Sequence, residues 1–278
     1  MNEPSAWICS CPWPLRAIAG ATMLCAALAA VPVRAEFAVA ASPPRFELEA
    51  KPGQVVRRTI EIANSASRAS KLSVKTADWT YRQDGSVIFS EELAPGSCRP
   101  WVAIERHDLT ISPGKSYRFR FEVAPPAGTA PMECRFAILL EGEDEHTGTG
   151  GVQVPFNARL AVIVYLEVGD VQSRLSVVGS GVDLLNGQPT PVLHIRNDGA
   201  AHGRLDGFLS GVDSADAKLD FVPSNAPILP GETRHVPLLA TRRGDPDTPA
   251  NVQFPVTVKG KLEWGKNESQ EIEQRFDR

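Results

Sequence analysis

Five histidines are the residues best suited to acid–base or metal chemistry in this 278-residue chain. They are scattered, without the short intervals at which zinc ligands recur. His194 alternates with Leu193 and Ile195, which is typical of a residue on a strand face. Ser180 lies between two glycines and lacks the strand-to-helix context of a catalytic nucleophile. The sequence therefore predicts no enzymatic activity, no metal site and no cofactor. The histidines are His107, His146, His194, His202 and His235.

An acidic segment offers a second candidate for ion binding. Glu141, Glu143, Asp144 and Glu145 supply carboxylates that could hold calcium, but their spacing lacks the signature of a calcium loop. A solvated hairpin is the interpretation that the composition favours.

Residues 1–35 have the organisation of a secretory signal peptide. Arg16 precedes an apolar run from Ala17 to Val31, and Val33 and Ala35 are the small residues of a cleavage site. The run is too short to span a membrane comfortably, so the mature chain is expected to be exported without an anchor.

Removing residues 1–35 takes away Arg16, Arg34 and Glu3 and leaves 27 basic against 32 acidic side chains. This acidic balance argues against nucleic-acid binding. Cys98 and Cys134 are the two cysteines that remain. In an oxidising compartment, two cysteines most simply form one disulfide.

A long alternating segment runs from Gly151 to Val168, with an apolar residue at every even position. This period predicts a β-strand. The second half is apolar at most odd positions too and is predicted to be buried on both faces. In the first half Pro155 cannot donate to a ladder, which favours a sheet edge. Val152, Val154 and Phe156 then form an apolar row that either another part of the chain or a partner must cover.

The remainder of the sequence alternates short strand patterns with turn residues and shows no convincing helix. It predicts an all-β protein with two immunoglobulin-like antiparallel β-sandwich domains in tandem, residues 36–168 and 169–278. A weak repeat supports this division. Ile60–Asn64 is similar to Leu193–Asn197, and Ile111–Gly114 is similar to Ile228–Gly231.

These features together resemble the PapD-like periplasmic chaperones of pilus assembly. The resemblance rests on the opening Ser42–Arg45, on the strand Ile60–Asn64, and on the stretches Trp79–Gly85 and Trp101–Gly114, which resemble a diverged, non-type branch. It covers roughly residues 38–168. It implies a periplasmic location and a chaperone function in the biogenesis of pili or fimbriae. The implied partners are pilus-type subunits and an outer-membrane usher.

In that family the last strand of the first domain donates alternating apolar side chains to an incomplete subunit sandwich. Val152, Val154 and Phe156 match the donor positions.

The family also uses two basic residues to bind the subunit's terminal carboxylate. Arg45 matches the first of them, but Ala161 occupies the second position. Arg159 is the remaining candidate for that second anchor. The alternative function is an exported structural or adhesive envelope protein, in which the apolar row is covered within its own domain.

Overall fold

The chain is built almost entirely from β-strands, as the computed structural model shows. The structure describes residues 38–82, 85–142, 145–147, 154–156 and 158–278. Within these ranges the helical content is a single 3-10 turn at Arg99–Trp101. No helix in this part of the chain is long and apolar enough to cross a membrane. The predicted all-β class is confirmed.

The strands before residue 169 form the first sandwich. They are β1 (Val39–Ser42), β2 (Arg45–Ala50), β3 (Val56–Asn64), β4 (Ser70–Tyr81), β5 (Val87–Ser90), β6 (Val102–Ile104), β7 (Asp108–Ile111), β8 (Ser116–Val123), β9 (Met132–Gly142), β10 (Glu145–Thr147), β11 (Val154–Phe156) and β12 (Arg159–Val168). One sheet has the order β1-β3-β8-β6. The other has the order β2-β12-β9-β4-β5, with β7 also on β4, and β10 pairs with β11.

The first core lies between these two sheets. Phe119 and Phe121 alternate with exposed residues along β8, as the period-2 pattern predicts, while Phe136 on β9 and Val164 on β12 face them. All four side chains are buried, so the two sheets share one apolar layer.

The predicted disulfide is confirmed. Cys98 and Cys134 are bonded, with their Cα atoms 6.0 Å apart. The bond ties the segment before β6 to β9.

The strands after residue 169 form the second sandwich. They are β13 (Leu175–Leu185), β14 (Gln188–Asn197), β15 (Asp206–Val212), β16 (Lys218–Pro223), β17 (Thr233–Arg242), β18 (Asp245–Pro249), β19 (Val256–Trp264) and β20 (Glu268–Phe276). Their ladder runs β13-β14-β17-β16-β15-β19-β20. Strand β17 pairs with β14 through its first half and with β16 through its second. It thereby connects the two layers around a second apolar core.

The weak sequence repeat corresponds to a repeated structural element, an asparagine that ends a strand and holds a distant turn. The first corner comprises residues 64–68 and 111–115. Asn64 Nδ2 donates to the carbonyl oxygens of Arg68 (2.8 Å) and Ile111 (3.0 Å). Its Oδ1 accepts from the Ala66 amide at 2.9 Å. This buried side chain therefore has partners on both of its polar atoms.

The second corner comprises residues 197–201 and 228–232 and repeats these bonds. Asn197 Nδ2 donates to the carbonyl oxygens of Ala201 (2.9 Å) and Ile228 (2.8 Å). Its Oδ1 accepts from the Gly199 amide at 2.9 Å. The two sandwiches thus share an element that the sequence indicates only faintly.

The second corner also holds the segment that links the sandwiches, residues 169–174. The amides of Asp198 and Ala200 donate to the carbonyl oxygens of Arg174 and Gln172, each at 2.9 Å. Gly199 approaches this segment so closely that a Cβ atom there would lie 2.3 Å from the Gln172 oxygen. Only glycine fits at this position.

Candidate functional site

Strand β12 is paired unequally on its two sides. It pairs with β9 over its whole length, from Arg159 to Val168. On the other side β2 runs parallel to it and covers only Ile163–Val168. Among the described residues, the backbone of Arg159–Val162 therefore has no strand on that side. This short free edge is where a further strand could add to the sheet.

Strand β11 belongs to the same alternating segment and precedes β12 in the chain. Its residues Val154, Pro155 and Phe156 pair with Thr147, His146 and Glu145 of β10, respectively. Two of the three predicted donor residues thus lie on a short strand that precedes the free edge in the chain. The third, Val152, lies outside the described residues.

The second half of the segment Gly151–Val168 is buried on both faces, as predicted. Val162, Val164, Leu166 and Val168 face the first core and are fully buried. On the opposite face Tyr165 belongs to a separate apolar cluster, against which Ala161 and Ile163 pack. We call this set the outer-face cluster. Its buried members are Ala77, Trp79, Ala137, Leu139, Tyr165 and Leu229.

Leu229 comes from the second sandwich, whereas every other buried member of the outer-face cluster comes from the first. Leu229 of the second corner therefore covers part of the apolar outer face of the sheet that contains β12.

Arg45, the first predicted anchor, begins β2 directly opposite Ile163 of β12. Its Nε lies 3.0 Å from Glu47 Oε1, and about half of the side chain is exposed. The guanidinium is therefore accessible at the boundary between the two sandwiches.

Arg159, the second predicted anchor, lies four residues before Ile163, or about 13 Å along the strand. It is paired with Glu141 of β9. Lys75 also binds this carboxylate, at 2.7 Å, and hydrogen bonds to Glu141 and then Glu91 raise the pKa of Lys75. The structure does not bring Arg45 and Arg159 together, and each is paired with a glutamate.

Of the acidic segment, Glu141 is a strand residue that pairs with Lys75 and Arg159. Glu143 and Asp144 lie outside the described residues, and Glu145 begins β10.

A cavity of about 1000 Å³ lies between the two sandwiches. Tyr165 forms part of its wall, with the His202 ring stacked on it at 4.0 Å and the Arg204 guanidinium 5.7 Å from its ring centre. Burial raises the pKa of Tyr165 well above its usual value. The wall also includes Glu47, Glu167 and Lys266.

Sequence reasoning missed the charged residues that join the sandwiches at this cavity. Glu133 and His202 are far apart in the chain, yet Glu133 Oε2 lies 2.6 Å from His202 Nδ1 and accepts the His202 amide hydrogen at 2.8 Å. The sequence held one indication of a polar site here. Glu167 is a charged residue in the half of the segment that is predicted to be buried on both faces.

No protein-family profile matches the sequence, and a search of curated proteins finds no significant match. The fold is similar to several solved structures. The class 5 fimbriae chaperone CfaA has a TM-score of 0.47 at 13% identity, covering 86% of this chain and 99% of that one. The chaperone YadV has a TM-score of 0.46 at 8% identity, covering 86% and 99%.

A third similar structure is the CsuC–CsuE chaperone–tip adhesion subunit complex from the Csu pili of Acinetobacter baumannii. Its TM-score is 0.45 at 14% identity, covering 84% of this chain and 97% of that one. Many of the solved structures to which this chain is similar are PapD-like fimbrial chaperones.

Proposed function

We propose that this protein is a periplasmic chaperone that captures pilus or fimbrial subunits by adding an edge strand to their incomplete sheets. The observation that carries the proposal is the free edge of β12 at Arg159–Val162, which β11 precedes in the chain. The class of client follows from the sequence resemblance to pilus chaperones. The proposed domains are residues 36–168 and 169–278, after a signal peptide of residues 1–35.

In this mechanism the edge backbone supplies hydrogen bonds that tolerate many client sequences. The apolar row Val152, Val154 and Phe156 supplies register, because alternate side chains enter the client's open core. Burying three such side chains contributes on the order of 5 kcal/mol before the costs of association.

The proposed anchor for the client's terminal carboxylate is Arg45, which is about half exposed beside the cavity residue Glu47. A charge-assisted hydrogen bond to the carboxylate would exchange the Glu47 partner for the client. Arg159 lies too far along β12 to share that carboxylate without rearrangement, so we assign it no more than a contact with the client's added strand.

The test uses tagged full-length protein expressed with its signal, recovered from the periplasm with bound subunits identified by mass spectrometry. Val154→Glu and Phe156→Asp are expected to leave folding intact and to abolish capture, because each places a charge in the client's core. Gln153→Glu is the matched control, since it adds the same charge at a polar, odd-numbered position of the alternating segment and is expected to retain capture.

Unaltered capture by Val154→Glu would refute strand addition. Unfolding of the first sandwich by Val154→Glu or Phe156→Asp, without any client in the unsubstituted protein, would favour a structural envelope protein instead.

Arg45→Ala is expected to weaken capture at least tenfold without a change in thermal unfolding.

A further inference from the structure

A group of three side chains lies where the two sandwiches meet, away from the proposed donor strand. Glu133 on β9 and Glu167 on β12 are directly opposite each other in the antiparallel ladder. His202, from the segment that follows the second corner, reaches the same place. One potential ligand atom from each of the three lies within 4.8 Å of the other two.

Two carboxylates opposite each other on neighbouring strands repel unless a cation lies near them. Glu133 makes this arrangement costly, because its side chain is fully buried. The position therefore favours a positive charge between the carboxylates.

In the part of the chain that the structure describes, hydrogen bonds satisfy only one of the two Glu133 oxygens. Oε2 contacts the amide and the Nδ1 atom of His202, at 2.8 and 2.6 Å. Oε1 is buried and has no hydrogen-bond partner among the described residues. A buried carboxylate oxygen without a donor is rare in folded proteins and points to a further ligand.

We propose that Glu133, Glu167 and His202 form a site for a divalent transition-metal ion of the zinc class. One imidazole nitrogen with two carboxylates suits zinc better than calcium or magnesium, which prefer oxygen ligands alone. Three protein ligands leave a fourth position open, as in zinc sites that retain an exchangeable ligand.

The geometry requires only a small adjustment on binding. Zinc bonds of about 2.1 Å place tetrahedral ligand atoms about 3.4 Å apart. Glu133 Oε2 and His202 Nδ1 are now 2.6 Å apart in a hydrogen bond, so binding at Nδ1 would release the proton of that bond to solvent and let the two atoms separate slightly. Glu167 is only partly buried, so its side chain can move towards the other two. Glu167 and His202 also line the cavity, which provides the route of entry.

The bound ion would join the sandwiches, because Glu133 and Glu167 belong to the first and His202 to the second. It would hold their relative orientation more firmly than the His202–Glu133 contact alone. The open coordination position would face the cavity. The proposal does not depend on strand addition.

The experiment measures zinc binding to the full protein after chelator treatment, by calorimetry, with cobalt absorption as a second readout. We expect one high-affinity site that raises the thermal unfolding midpoint by several degrees. His202→Ala and Glu133→Gln are each expected to weaken binding at least 100-fold, and Glu167→Gln at least 10-fold. Glu167→Gln is the variant least able to disturb folding, since its side chain is only partly buried.

The matched control is the double variant His194→Ala, His235→Ala. These two rings stack at 4.0 Å on the second sandwich, on strands β14 and β17. The control is expected to bind zinc like the unsubstituted protein. Failure to bind zinc, binding unaffected by His202→Ala, or loss of binding in the control would each overturn the proposal. The first outcome would leave His202 as an ion-pair partner of Glu133 only.

Discussion

The two asparagine corners have the same internal hydrogen bonds but different surroundings. The turn of the first corner, which contains Ser112, is exposed. The turn of the second corner places Leu229 in the outer-face cluster of the other sandwich. Nearby, Arg234 lies 5.3 Å from the Tyr81 ring centre and donates to the Arg82 carbonyl oxygen at 3.3 Å.

This difference distinguishes the contacts that stabilise each sandwich from the contacts that join the two sandwiches. The asparagine bonds are common to both corners, so they belong to the fold of a single sandwich. Leu229 occupies the position of Ser112 in the repeat, and its side chain is buried by the partner sandwich. One position in a repeated element thus changes a solvent-exposed turn into an interface.

The largest expected effect concerns the disulfide, which the first sandwich has and the second lacks. Replacing Cys98 and Cys134 by alanine is expected to lower the free energy of unfolding of the first sandwich by about 4 kcal/mol, because the unfolded chain loses a closed loop. Denaturant unfolding followed by residue-resolved hydrogen exchange measures each sandwich separately. A loss of less than about 1 kcal/mol would contradict this prediction.

The asparagines are expected to have the next largest effect. Asn64→Ala and Asn197→Ala should each cost about 3 kcal/mol, because buried carbonyl and amide groups lose their partners. Equilibrium unfolding in urea measures the loss. Asn225→Ala is the control, since this side chain is exposed and a change of less than about 0.5 kcal/mol is expected. Similar values for all three variants would show that the corners are not structural determinants.

Exchanging the residues at the repeated position tests the interface directly. Leu229→Ser should cost about 2 kcal/mol and separate the unfolding of the two sandwiches, because a buried leucine is lost from their contact. Ser112→Leu should change stability very little, since that turn is exposed. Differential scanning calorimetry distinguishes one transition from two. Separation of the transitions by Ser112→Leu would contradict the comparison.

The smallest effect is expected for Arg45, the proposed anchor, and for Arg159, the proposed contact with the added strand. Arg45→Ala should change the free energy of unfolding by less than about 1 kcal/mol, because both partners of its ion pair are about half exposed. Arg159→Ala should cost about 1 kcal/mol, because Lys75 still pairs with the nearly buried Glu141 when the half-exposed arginine is removed. Chemical denaturation checks this. A loss of more than 2 kcal/mol in Arg45→Ala would identify this residue as structural and remove it as an anchor.

The sequence predicted the features that local pattern determines. The all-β class, the disulfide and the burial on both faces of the second half of Gly151–Val168 followed from alternation, export and cysteine count, and the structure confirms them. Contacts between distant residues were not predictable, because period and turn chemistry carry no information about which strands meet. The pairing of Glu133 with His202 is the clearest case.

The candidate site could be predicted only in part, because it too depends on which strands meet. The sequence identified the strand that contains the free edge, but not where β2 stops covering it. The sequence also indicated Arg45 and Arg159 as candidate anchors. It could not give the distance between them, because that distance depends on the register of β2 against β12.

The parallel pairing of β2 with β12 has a consequence for the order of folding. Arg45 meets Ile163, a residue synthesised more than a hundred positions later. A chain that emerges from its N-terminus leaves β2 without its neighbour until nearly the whole first sandwich has been made. Contacts of such long range slow folding, since the intervening chain must first be ordered. Until β12 is in place β2 presents an unpaired edge, so the newly made protein would itself pass through a state as open to strand addition as the clients it is proposed to protect.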